Sequence, residues 1–427
     1  MKWSLPLALL FAGCMGPYPG NNETDGSDGT DGTDGTDDTD GPLFEPKVML
    51  LVPGSDSDAG WTRSHASAVN ALGDSLDIDT QVQYLVANAD AADVLAAGDE
   101  DGYNVYITAS SGYITSSVTH SANAPETRTL SCCGSQATPN LTSYFGRIYQ
   151  PLYVSGYVAA TKSCTGRIGV VAAFPNPQFI RHINAFTLGA RRANPEVTVE
   201  VTWLNSFFDL GRERSLAEEL VAHGNDVLLV QTNTNIPVDV SRNSTVTCDD
   251  GGGPEASPVF SVGYHAADMC DAAPERCLTS AYWNWQPYYE SQIESMVDGT
   301  FDPTNTSWQP WLPNDDSVVK LLPWQGDASK DNYVPGDVAG TADSLANDLR
   351  NADPSAPFDG AFNGGVIRSS FRATMVRSSQ SLTDEELDDM CWFVDGVVYW
   401  SDEDNDWIPA AVPEADCPGT TFDPNVR

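Results

Sequence analysis

The feature that most constrains this chain is a repeated unit: a short apolar run stops at a turn, and a helical pattern follows at once. "VVAAFPNPQFIRHINAF" (170–186) is the clearest copy. Its β-branched run reads as a buried strand, and Phe179, Ile180, Ile183 and Phe186 then share one helical face. "VMLLV" (48–52) is followed by the turn "PGSDSDAGW" and a helical stretch over 62–72, and "YNVYITA" (103–109) ends in "SSGY". "RIGVVAAF" and "VTVEVTWL" read as strands, 211–223 as a helix bounded by Gly224, and "DVLLVQT" as a strand ending in "NTNIP". "VFSVGYH" and "CLTSAYW" complete the series. Alternation of this kind predicts an α/β fold, with parallel sheets flanked by helices.

At 427 residues the chain exceeds one ordinary core, and the pattern restarts near 164, so two Rossmann-like lobes around a central cleft are expected. Ligands of such sheets bind outside the carboxyl ends of strands. Those ends hold Asp58, Trp61, Ser110, Ser111, Phe174, Asn205, Phe207, Asn233, Asp268 and Trp283, with His265 also at a strand end. Aromatic rings with a few amides and carboxylates suit a planar, neutral, hydrogen-bonding ligand. The turn at Phe174 has no glycine, and Pro175 and Pro177 remove two N–H donors that a phosphate would need. It is suited to holding Phe174 as a fixed stacking face. GxSxG, Walker A, GxGxxG and HExxH patterns are absent, so no catalytic group and no cofactor are expected.

The N-terminus reads as an export signal: Lys2, an apolar run, then "LLFAGC", which resembles a lipoprotein signal with Cys14 as the lipidated residue. Residues 17–41 repeat Thr-Asp-Gly and have almost no apolar side chains, as a solvated tether does. Removing Cys14 from the nine cysteines leaves 9 − 1 = 8, an even number suited to disulfides in an oxidising compartment. Cys270 with Cys277, and Cys391 with Cys417, are the pairs suggested by position. No CxxC exists, so no metal is expected. A net charge of −39 argues against nucleic acid or anionic lipid as a partner. The expected organisation is a signal peptide (1–13), tether (14–45), first lobe (46–163), second lobe (164–283), a return segment completing both lobes (284–400) and a tail (401–427).

Residues 167–209, from "RIGVVAAFPNP" to "NSFFD", resemble the basic membrane protein family of lipoproteins. "SDAGWTRSH" (57–65), "VGYHAADM" (262–269), "LTSAYWNWQPYYE" (278–290), "DGTF" (298–301) and "SLTDEELDDMCWFVDGV" (381–397) are similar to it as well. The resemblance spans about 46–397 and is looser at 80–160, 241–257 and 324–380. It implies a type I periplasmic-binding-protein fold. It also implies a monomeric, envelope-located, lipid-anchored subunit that captures a purine nucleobase or nucleoside for an ABC permease. On that resemblance, Trp61 and Phe174 stack on the base from the two lobes, Asp58 lies nearby, Asp268 is a polar ligand, and Asn205 and Trp283 line the cleft. Nucleoside-binding relatives tend to carry a lysine near position 283, so a tryptophan there favours a bare base. "QTNTNIP" (231–237) also departs from the acid-containing turn of close relatives. The competing expectations are a lipid-anchored sensor on the same fold and a nucleoside-processing enzyme.

Overall fold

The structure, a computed structural model, describes residues 44–411 except 250, 307, 352–366, 370–373, 377–381, 383, 402 and 405. The expected signal, Cys14, the expected tether up to residue 43 and Cys417 lie outside the described residues.

The first sheet contains β1 (Val48–Leu51), β2 (Thr80–Gln83), β3 (Val105–Thr108), β4 (Arg128–Cys132), β5 (Ala137–Thr138) and β6 (Leu141–Tyr144) in the order β2-β1-β3-β4-β6-β5. All its pairings are parallel except β5 with β6. Helices α1 (Trp61–Leu76), α2 (Ala91–Glu100) and α3 (Ile114–Asn123) connect its first strands. β1 and β3 are buried throughout, so continuous apolar runs were the right signal for them.

Helix α4 (Tyr149–Lys162) follows, and it packs along α5 (Pro177–Ala193), so α4 sits with the second sheet although it precedes residue 164. Gly156 and Gly189 make that contact possible: a Cβ on Gly156 would lie 2.0 Å from the Phe186 carbonyl oxygen, and one on Gly189 1.8 Å from that of Tyr153.

The second sheet takes β7 (Arg167–Ala172), β8 (Thr198–Trp203), β9 (Val227–Gln231), β12 (Phe260–His265) and β13 (Cys277–Trp283) in parallel, in the order β13-β12-β9-β7-β8. Helices α6 (Leu210–Ala222) and α7 (Ile236–Ser241) lie between these strands, and β10 (Thr245–Asp249) with β11 (Pro254–Pro258) forms a separate hairpin.

The chain then returns. Helix α8 (Gln286–Val297) packs on α1 beside the first sheet, while β14 (Val319–Leu321) joins the second sheet against β13. Helix α9 (Gly336–Arg350) packs on α4, and a short antiparallel pair, β15 (Ile367–Arg368) with β16 (Thr374–Val376), follows. Helix α10 (Asp384–Asp388) places Asp384 3.0 Å from Arg147 and Asp388 3.1 Å from Arg181. Strands β17 (Val397–Ser401) and β18 (Asp406–Pro409) extend the second sheet beyond β8. Among the described cysteines, Cys132–Cys133, Cys164–Cys248 and Cys270–Cys277 are joined as pairs. No helix of the described residues is long and apolar enough to cross a membrane.

Candidate ligand-binding cleft

Both sheets reverse their strand order at the same relative place, β1/β3 in the first and β7/β9 in the second. Crevices outside strand carboxyl ends open at such switch points. The loops after β1, β3, β7 and β9 converge there on one cavity of about 630 Å³. Eight of the residues expected from strand ends line it: Asp58, Trp61, Ser110, Ser111, Phe174, Asn205, Phe207 and Asn233.

Trp61 opens α1. Its indole N–H donates to the Ala109 carbonyl over 2.8 Å, which ties the ring to the end of β3. Behind it, Trp283 and Trp285 stack 4.7 Å apart, and both meet the Trp61 ring edge-on at 5.7 and 5.9 Å. His65 stacks on Trp285 at 4.8 Å and is hydrogen-bonded to Tyr289, which is hydrogen-bonded to Tyr144. This aromatic stack fixes the Trp61 ring from below. On the opposite wall, Asn176 caps α5 by accepting from the Phe179 N–H at 3.2 Å, and Pro177 occupies the first helical turn. The stiffened turn carries Phe174, whose ring meets that of Phe207 edge-on at 5.0 Å. Phe207 and Phe208 are nearly half-exposed at the cleft rim.

The two walls touch. Asp58 accepts from the Gly60 N–H at 2.7 Å and from the Asn233 side-chain amide at 3.0 Å, a hydrogen bond from one sheet's loop to the other's. Burial pushes the Asp58 carboxyl above its ordinary range, and these hydrogen bonds oppose the shift. A Cβ on Gly60 would lie 2.9 Å from both the Asn233 Cα and a His265 ring carbon, so only glycine lets the loops come this close. Asn205 adopts the left-handed region at φ 53°, which asparagine tolerates better than most residues. Asp58 is the one ionisable side chain among the described residues of the wall, and no Lys or Arg lines it. An anionic ligand would leave its charge uncompensated there.

Two expected residues are not brought to the wall. Trp283 is 4% exposed, stacks on Trp285 and donates to His265 Nδ1 at 2.9 Å. Its identity therefore bears on how Trp61 is supported, and the inference from a tryptophan at this position to a bare base loses its footing. Asp268 turns outward to Arg63, at 2.5 Å, an exposed ion pair joining α1 to the loop after β12. His265 lies behind the wall, and burial keeps it neutral.

Glu213, in α6, is a buried acid behind the site that the sequence hid. It is fully buried and accepts from the hydroxyls of Thr232 and Thr234, so it clamps the turn that presents Asn233. Burial pushes its carboxyl up to about 7. "GRERSLAEEL" reads as a solvated helix; only the facing threonines of "QTNTNIP" could have hinted at an internal acid.

Two α/β lobes meeting at their strand carboxyl ends around an enclosed cleft define the architecture of the type I periplasmic solute-binding proteins. A solute-binding protein of an ABC transporter system from Conexibacter woesei shares it, with a TM-score of 0.57 at 18% identity, covering 71% of this chain and 96% of that one. The chain belongs to the family of PnrA-like ABC transporter substrate-binding proteins, which it matches over residues 45–321. Similar relatives are a purine-binding protein of Brucella abortus, 27% identical over 82% of this chain and 92% of the relative, and a putative ABC transporter glucose-binding protein of Haloferax volcanii, 29% identical over 71% and 73%.

Proposed function

We propose that this protein is a lipid-anchored solute-binding protein, held at the cell envelope through Cys14. It captures a purine nucleobase or nucleoside between its lobes and delivers it to an ABC permease. The observation that carries this reading is the pairing of Trp61, fixed on one sheet, with Phe174 and Phe207 on the other, around amides and hydroxyls with no cation in the described wall. A flat neutral heterocycle satisfies both kinds of surface. The Brucella relative named for purine binding agrees with it. Paired cysteines suit an oxidising envelope compartment. The relative named for glucose supports a second reading, since sugar faces also pack on aromatic rings. A thermal-shift screen separates them. Adenine or inosine at a hundred times its Kd is expected to stabilise the protein by about 2.7 kcal/mol. Stabilisation by glucose with none by any purine would reject the purine reading.

A further inference from the structure

Cys132 and Cys133 are neighbours in sequence and bonded to each other. The other two described pairs close segments of 84 and 7 residues, and a disulfide stabilises mainly by restricting the loop it closes. A bond between adjacent residues closes almost no chain, so stability does not account for it. Its position does. Cys132 ends β4 and is fully buried, while Cys133 lines the cleft together with Ser111 of the first lobe and Gln178 of the second. Cys133 stands at φ 71°, in the left-handed region that non-glycine residues seldom adopt, while its N–H still donates to the Tyr144 carbonyl at 2.9 Å. The backbone is thus turned out of the sheet just where the cleft wall begins.

We propose that Cys133, bonded to the buried Cys132, is a ligand-contacting part of the cleft wall, presenting its sulfur to the edge of a flat heterocycle held between Trp61 and Phe174. This rests on the purine reading. Divalent sulfur is polarisable and meets aromatic rings favourably at their edges. Joined to its neighbour, the Cys133 sulfur has no thiol proton and no freedom to rotate, so the contact is made in advance of binding. Two free thiols at the same place would lack both properties.

The test is calorimetric titration of adenine and inosine into the full chain and into its Cys132→Ser/Cys133→Ser variant. The variant is expected to bind about threefold to tenfold more weakly, the range that a sulfur–ring contact supplies. Its melting temperature without ligand is expected to fall less than that of Cys164→Ser/Cys248→Ser, which opens the segment of 84 residues. A second measurement on the unaltered protein covers the case in which the variant does not fold. A water-soluble phosphine reduces disulfides, and trapped thiols are mapped by alkylation and peptide mass. Bound adenine is expected to slow reduction of Cys132–Cys133 and to leave Cys164–Cys248 unchanged, since that pair is not in the cleft wall. Unchanged affinity in the variant, equal slowing at both pairs, or free thiols at 132 and 133 in the purified protein would overturn the proposal while leaving the purine reading intact. If neither purine binds the unaltered protein, both fall together.

Discussion

At the scale of single residues, the cleft divides its aromatic rings between those that present a face and those that hold another ring in place. Phe174 is partly exposed and stands on a capped, proline-stiffened turn. Phe174→Ala is therefore expected to weaken adenine binding roughly tenfold to hundredfold, the usual worth of one base–ring stack, with little change in melting temperature. Calorimetry and a melting curve on the same sample check this. Trp61→Ala removes both a wall and the top of a buried stack, so it is expected to lose affinity and also about 3–5 kcal/mol of stability. Glu213 makes a prediction about pH. Its carboxyl is raised from 4.5 to about 7, so its stabilising contribution is present below 4.5 and is lost as pH rises through about 7. The difference in charging free energy is about 3 kcal/mol. Glu213→Gln is expected to melt higher relative to the unaltered protein at pH 8 than at pH 5. An equal difference at both pH values, read from paired melting curves, would show that Glu213 stays ionised throughout.

At the scale of elements, legibility followed burial on both faces. β1, β3, β7 and β9 read clearly because parallel strands covered by helices are continuous apolar runs. β4 ("RTLSC") and β6 ("LTSY") are as deeply buried but rich in hydroxyl residues, which bond to one another and to backbone: Thr108 donates to Ser131, and Ser143 to the Gln136 carbonyl. Hydropathy pattern cannot see such satisfied polar strands. β17 and β18 were hidden for another reason. β17 is an edge addition whose partner β8 lies about two hundred residues earlier, with Val397 opposite Val199, and β18 pairs with β17 alone. Strand ends gave the positions of the site but not the direction of each side chain, which is why Trp283 and Asp268 were drawn to the cleft and turn elsewhere. The start of α1 carries a close approach between lobes. Gly60→Ala would set a Cβ against Asn233 and His265. It is expected to hold the lobes apart, weaken binding and enlarge the radius of gyration seen by small-angle X-ray scattering in the presence of ligand. Unchanged scattering and affinity would show that the Gly60 contact does not govern closure.

At the scale of the whole molecule, one strand order used twice places two switch points opposite each other, and the cleft is a consequence of that topology. Loops from both sheets already meet through Asp58–Asn233 and Arg63–Asp268, so the structure stands in a closed arrangement. A ligand that binds this arrangement better than an open one supplies the free energy of closure. The ligand class is the central claim, and it was the part least written in the sequence, because stacking faces and amides are shared by sites for bases and for sugars. The most direct test is a crystal structure of the protein grown with adenine. The account predicts the purine ring lying between Trp61 and Phe174, with its edge toward Asn233 and the Cys132–Cys133 pair. A cleft that stays empty with adenine and with inosine at saturating concentration, or adenine bound away from these two rings, would contradict it.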